Sequence, residues 1–436
     1  MTRRSQHSVA PSLKQHTHHH VTDADWMSAP SFRVTSTCGD ARCGVLRLGG
    51  TEVATPAVLC YTRRGAPLHL THDVLASLPP EARLLGVQPL EFAGEAPTSA
   101  VVAAAGGLSS FAGLAGCVLV ASCREPYAYD AAVVAKNAST QGNDAGLPVA
   151  TQAGSRRVSP AVYADILAAL RCDVAISLAD EPLAGDTSKR QRLCAERTHR
   201  WLLDLRGVLA LKAPGLLPTV WACIQGGGDV DERRRAAQAA AGVPVSGFSL
   251  GGFCTGEAPQ ARPELIAACL SALPPGLPRH IGGMNSPEEV LQAVSCGVDV
   301  FDGGYAHAAT AQGCALLFPV GPNDPVGDTT VAPGTDGVKA NLRALAFTLD
   351  QGPLCRGCTC FACARHTRAY VHHLLDTHEM LADTLLDLHN VQHMLRFFAA
   401  LRRAVAAGQL AEFRDFHDRR LQDVREAHAA AASDEC

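Results

Sequence analysis

The chain has 436 residues, a formal net charge of -4 and 47% hydrophobic residues, enough for one large domain with a smaller one around a sizeable core. The charge excludes a surface that is basic throughout, though it leaves room for a local basic patch. Seventeen cysteines stand mostly singly in apolar runs, as at Cys60 and Cys223; this fits free thiols in a reducing, cytoplasmic setting better than a disulfide framework.

Residues 1–30 hold Arg3, Arg4, Lys14 and a histidine cluster at His16 and His18 to His20, with no acid before Asp23. Such composition is expected to stay disordered; a presequence for mitochondrial import is the alternative. From Ala96 to Ser122 no residue is charged, a length that could cross a bilayer. Its glycines, serines and alanines speak against that, and two short buried strands with a Gly-rich connection are expected, with no integral membrane segment.

From Cys172 to Gly303 apolar β-rich runs alternate with segments of helical period, the pattern of successive β-α units. The expected strands are Val174 to Leu178, Val220 to Gln225, Ser246 to Leu250, Arg279 to Gly282 and Val298 to Phe301. The expected helices are Ser188 to Leu205, Asp231 to Ala241, Pro263 to Leu273 and Ser286 to Cys296, the last with Pro287 at its first position and Glu288 and Glu289 complementing its dipole. No G-x-G-x-x-G run follows an early strand. Instead Asp180, Gln225, Gly251 and Asp302 end successive strands. The fold class expected is α/β, a (β/α)8 TIM-like barrel over 31–320, whose strand ends share one rim and bring such residues to one pocket. The plainer alternative is that acids and glycines merely terminate strands.

Residues 321–352 read as an exposed connection, followed by a metal-binding helical subdomain over 353–427 and a flexible tail over 428–436. Cys358, Cys360 and Cys363 put three thiols within six residues, and a later imidazole would complete the tetrahedron that structural zinc prefers. His389, before Asn390, is one candidate; His366, His372, His373, His378 and His393 compete on spacing. An iron–sulfur cluster and a metal-free redox cluster are the rival chemistries. Leu381, Leu385, Leu388, Val391, Leu395, Phe398 and Leu401 recur at helical spacing and are expected to pack a core, with any exposed remainder free for a partner. Arg396, Arg402, Arg403, Arg414, Arg419 and Arg420 could present positive charge to a nucleic-acid backbone, or simply form a solvated face with nearby acids.

The run Cys358-Thr359-Cys360-Phe361-Ala362-Cys363, with Thr367 to Leu374 and Leu388-His389-Asn390, closely resembles the C-terminal zinc motif of tRNA-guanine transglycosylases. Trp221 to Gly227, Gly247 to Glu257 and Gly297 to Asp302 resemble the barrel segments that line that family's base pocket. Leu59 to Thr62 and Leu70 to His72 resemble its eukaryotic accessory branch, so the likeness extends from Phe32 to Phe416. It implies one structural zinc ion held by Cys358, Cys360, Cys363 and His389. It implies exchange of guanine for a deazaguanine, queuine in eukaryotes, at the tRNA wobble position. In that chemistry an aspartate attacks the ribose anomeric carbon and a second acid handles protons. Asp302 falls at the nucleophile's place, Asp180 at that of a base-reading aspartate, and Gln225, Gly251 and Gly252 where the other base edge is met.

Two departures redirect the expectation. No Asp-Ser-Gly-Gly segment, the family's source of the acid–base aspartate, occurs between Phe111 and Ser159. Asp302 is followed by Gly303-Gly304-Tyr305 rather than by the family's arginine-bearing loop. The pattern resembles the non-catalytic accessory subunits, which implies a heterodimer with the catalytic subunit of queuine tRNA-ribosyltransferase, tRNA as a ligand, and a cytoplasmic site with peripheral association at the mitochondrial outer membrane. The alternative is an active transglycosylase with Asp302 as nucleophile and Asp130 or Asp144 as base.

Overall fold

The computed structural model describes residues 30–94, 98–125, 142–151, 154–328 and 331–434. Eight short apolar runs form β1 (Ala57–Tyr61), β2 (Leu84–Val87), β3 (Val118–Ala121), β4 (Val174–Ile176), β5 (Val220–Ile224), β6 (Gly247–Leu250), β7 (Arg279–Ile281) and β8 (Val300–Gly303). All pair in parallel, in chain order, and β8 returns to β1 with Asp302 opposite Leu59, closing an eight-stranded barrel. Strands covered on both faces read as continuous hydrophobic runs rather than alternating ones, which is why three to five residues suffice for each.

The helices between strands start on definite caps. Thr187 accepts from the Arg190 amide at the head of Ser188–Lys212. Asp229 accepts from the amides of Asp231 and Glu232 before Val230–Ala241. Ser286 and Glu289 form a reciprocal capping box with Pro287 at the first helical position, which satisfies otherwise orphaned N–H groups. The strands and helices expected between Cys172 and Gly303 are all present, with ends shifted by a few residues.

The stretch from Ala96 to Ser122 differs from expectation. It holds two helices, Ser99–Ala104 and Leu108–Ala112, and a single strand, β3. Thr98 caps the first helix through the Val101 amide, and its alanines favour helix over strand. Among the described residues no helix is long and apolar enough to cross a membrane.

An antiparallel sheet of Ser31–Cys38, Ala41–Leu48 and Thr51–Thr55 closes the barrel's lower end, where Leu46, Leu48 and Val53 pack against Leu59, Val174 and Trp221 inside. Arg42 ties this sheet to the barrel: its guanidinium grips both oxygens of Asp299, which is fully buried, and donates to the carbonyls of Pro275 and Leu277. The two planar forks match, giving a charge-assisted pair with its remaining donors satisfied.

The connection over 321–352 is more than an exposed link. Lys339–Asn341, Thr335–Asp336 and Val331–Ala332 extend a small sheet begun by Cys314–Leu316, and Val326, Ala340, Leu342 and Phe347 are buried. Beyond it come Phe361–Arg365, Arg368–Asp376, the long helix Met380–Ala406 and Leu410–Asp434. Met380–Ala406 lies against β1 and the N-terminal sheet. All of the apolar positions expected to pack from it are buried except Leu381, at its exposed first turn. The basic face expected from this region is largely spent on structure. Arg402 donates to the Pro56 carbonyl at 3.0 Å and to Glu81 at 2.9 Å, Arg396 pairs with Asp324, and Arg414 donates to Ser295.

Candidate metal centre and barrel rim

Cys360 caps Phe361–Arg365, its sulfur accepting from the Cys363 amide, and this one-turn helix folds the three thiols onto the face of Met380–Ala406 that carries His389. The ligand atoms of Cys358, Cys360, Cys363 and His389 lie within 4.8 Å of one another. The three sulfurs stand 3.7, 3.5 and 3.4 Å from His389 Nδ1. A tetrahedral centre with metal–sulfur bonds of about 2.3 Å and a metal–nitrogen bond of about 2.0 Å needs S···N edges of about 3.6 Å, so the four residues could hold one ion such as zinc.

The supporting shell fixes the ring. His389 Nε2 donates to the Leu316 carbonyl at 2.9 Å, leaving Nδ1 for the metal. On the same helix Asn390, fully buried, accepts from the Leu316 amide at 2.8 Å and donates to Thr310 Oγ1 and the Cys314 carbonyl. Consecutive residues of one helix thus grip both polar groups of Leu316. The competing residues are committed elsewhere. His393 Nε2 donates to the Phe318 carbonyl, His372 Nδ1 to that of Leu342, and the His366 ring stacks on Tyr370.

At the rim, a cavity of about 220 Å³ is lined by Arg124, Glu181, Gln225, Ser249, Gly251 and His280, among others. Asp302 stands at the end of β8 with 3% of its surface exposed. Its Oδ1 lies 3.1 Å from His280 Nε2 and its Oδ2 accepts from the Gly283 amide at 3.1 Å. His280 Nδ1 is 2.9 Å from Ser249 Oγ, so Ser249, His280 and Asp302 form one continuous chain across β6, β7 and β8.

Gln225 projects into this cavity; its Nε2 lies 3.6 Å from Cys223 Sγ, and among the described residues Oε1 has no hydrogen-bond partner. A Cβ at Gly251 would fall 2.2 Å from Gln225 Nε2, and one at Gly252 2.8 Å from its Oε1, so both glycines make room for this amide. The carbonyls of Gly251 and Gly252 accept from the fully buried Arg233, which also donates to the Gly227 carbonyl and lies over the Phe253 ring. Asp180 faces away from the cavity. Its carboxylate accepts from the Gly142 amide and from Arg190 and Arg197. Its neighbour Glu181 turns to the rim instead, pairing with Arg124 at 2.8 Å.

A model of the queuine tRNA-ribosyltransferase family matches residues 37–422. The chain belongs to this family. It is 32% identical over 411 residues to the queuine tRNA-ribosyltransferase accessory subunit 2 of Xenopus tropicalis, covering 86% of this chain and 96% of that one. The human accessory subunit 2 is 30% identical over 398 residues, covering 85% and 93% respectively. The queuine tRNA-ribosyltransferase of Prochlorococcus marinus is 28% identical over 384 residues, covering 88% and 95%.

As a queuine tRNA-ribosyltransferase family member the chain keeps Asp302 at a strand end but surrounds it differently from the sequence expectation. β3 runs into Ser122-Cys123-Arg124, and no acid follows it before Glu125. β8 passes directly into the helix Gly304–Ala311. Of the two acids considered as replacement bases, Asp130 lies outside the described residues, and Asp144 is an exposed partner of Arg197 and Arg200. Arg124, Arg233 and His280 were not singled out from sequence. The only signal for the arginines that occupy Asp180 is that Arg190 and Arg197 stand seven apart, two turns of one helix.

Proposed function

We propose that the chain is the non-catalytic accessory subunit of a queuine tRNA-ribosyltransferase complex, binding a catalytic subunit and tRNA and carrying one structural zinc ion. The observation that carries this reading is the state of Asp302. Both its oxygens are engaged, by His280 and the Gly283 amide, and the side chain is buried. A nucleophile must reach its target within about 3–3.5 Å, and a carboxylate with 3% of its surface exposed is shielded from such an approach. The similarity to accessory subunits along nearly their whole length supports the same role.

The zinc subdomain supplies the docking face. Phe361 and Tyr370, which flank the His366 ring, are exposed there, as are Met380 and Leu381 at the start of the long helix. Clustered exposed apolar residues mark protein contacts, and the catalytic subunit is the partner that family membership favours. Near the rim, the hairpin Leu147–Thr151 and Gly154–Val158 carries Arg156 and Arg157; each donates from Nη1 to a backbone carbonyl, of Ala93 and Gly146, and both remain exposed enough to add positive charge suited to tRNA phosphates. The cytoplasm is the compartment this reading requires.

Base exchange with labelled guanine and tRNA tests the proposal, using the purified chain alone and with a catalytic subunit. No turnover is expected from the chain alone. Turnover abolished by Asp302→Asn would overturn the accessory reading. Metal analysis should return about one zinc per chain, lost in Cys360→Ser; iron, or zinc unchanged in that variant, would refute the metal assignment.

A further inference from the structure

We infer that Arg124 is a built-in occupant of the barrel mouth, seated in a site shaped for the planar N–C–N fork of a guanidine or amidine, and that it thereby decides what the rim cavity admits. The inference stands on the geometry of the mouth alone.

Arg124 lies three residues beyond β3, yet its side chain crosses to the loops after three other strands. Nη1 donates to Glu181 Oε1 at 2.8 Å, after β4, and to the Gly282 carbonyl at 3.1 Å, after β7. Nη2 donates to the Phe253 carbonyl at 2.6 Å, after β6. One carboxylate and two carbonyls facing two coplanar nitrogens are the complement of a guanidinium, and a point charge such as an ammonium would not satisfy them together.

The seat is prepared independently of the arginine. Glu181 Oε1 is held in place by the Gly252 amide. Glycines clear the path: a Cβ at Gly283 would fall 2.2 Å from Arg124 Nη2, and one at Gly282 would stand 3.1 Å from Arg124 Cδ and 3.6 Å from Asp302 Oδ2. The arginine stem and the Asp302 carboxylate thus both stand within 4 Å of the point where a side chain at Gly282 would begin. The guanidinium is almost wholly shielded from water, with 6% of the side chain exposed.

An amino-heterocycle entering the cavity by its N–H edge would find these three acceptors already filled by Arg124. A free guanidinium-type ligand can take that place only when the side chain is gone.

Melting temperature and calorimetry test this with guanidinium chloride at low millimolar concentration, against sodium chloride at equal ionic strength. Wild type should show no binding heat and no shift. Arg124→Ala should melt lower, and guanidinium should recover about 2 °C or more where sodium does not. Adding Glu181→Gln should abolish that recovery. The inference fails if Arg124→Ala shows no guanidinium-specific recovery, if the recovery survives Glu181→Gln, or if wild type binds guanidinium as well as the variant does. Should Arg124→Ala not fold, Arg124→Lys carries the test: it keeps charge and stem but loses the fork. A lower melting temperature is expected, and one equal to wild type would overturn the inference.

Discussion

Asp302 and His280 meet 3.1 Å apart at the barrel rim, each almost fully buried. With His280 Nε2–H donating to the carboxylate, Nδ1 is left to accept from Ser249. The carboxylate is thus satisfied by the protein itself. His280→Leu should cost about 2 kcal/mol, because it strands a buried acceptor. The double variant His280→Leu, Asp302→Leu should cost less than the sum of the two singles, although it still leaves the Gly283 amide and Ser249 Oγ without these partners. Urea unfolding compares them; a double variant worse than the sum of both singles would contradict this account.

Gln225 and Gly251 should be coupled in the same way. Gly251→Ala puts a methyl group 2.2 Å from Gln225 Nε2 and is expected to destabilise by about 1–3 kcal/mol. In a Gln225→Ala background the same change should cost far less. A double-mutant cycle reads the coupling directly, and strictly additive effects would show that the amide is not what excludes the side chain.

Asn390→Ala should separate fold support from metal binding. It leaves the Leu316 amide and the Cys314 carbonyl without their partner, a loss of about 1–3 kcal/mol for each stranded group, while the four metal ligands remain. Zinc content should stay near one per chain as the unfolding midpoint falls. His389→Ala should lose the metal outright, and retention of full zinc in it would point to a different ligand.

Two buried histidines should lower stability as the pH falls from about 6.5 to 4, opposed over the same range by Asp387, a carboxyl that burial pushes up to about 7. Burial pushes His307 and His417 down to about 4, against about 6.5 in an unfolded chain. Above pH 6.5 both rings are neutral in either state and contribute nothing to the pH dependence. As the pH falls from about 6.5 to 4 the unfolded chain takes up protons that the folded one refuses. Stability is then lost at up to about 1.4 kcal/mol per pH unit for each ring. His307 stacks on Tyr61 with centroids 4.1 Å apart, so His307→Phe should keep the stack and flatten the slope between pH 7 and 5. Unfolding midpoints at those two pH values measure it; an unchanged slope would exclude His307 as a source.

The second half of the barrel was legible because its strands are apolar runs ended by glycine or acid, with capped helices between them. The first half was not. β3 is four residues long and buried on both faces, and short apolar runs of that kind carry no period that separates strand from helix; the alanines of Ser99–Ala104 were misread for the same reason. The candidate metal cluster was readable from its three closely spaced cysteines, and the ligand atoms of Cys358, Cys360, Cys363 and His389 do lie together. The direction of Asp180 was not readable, because it depends on Arg190 and Arg197 of the following helix. Nor was the role of Arg124, whose three acceptors lie 57 to 158 positions away in the chain.

The double grip of His389 and Asn390 on Leu316 also orders events during synthesis. Leu316 leaves the ribosome more than seventy residues before His389 and Asn390, which hold it, while all eight barrel strands already precede it. The nascent barrel can therefore close with its final segment unanchored, and it waits for the cysteine turn and then for the helix carrying His389. If the proposed zinc ion is held there, its supply would act at that late moment. Shortage would leave a formed barrel with a loose C-terminal third, and the quality-control machinery would meet that portion of the chain first.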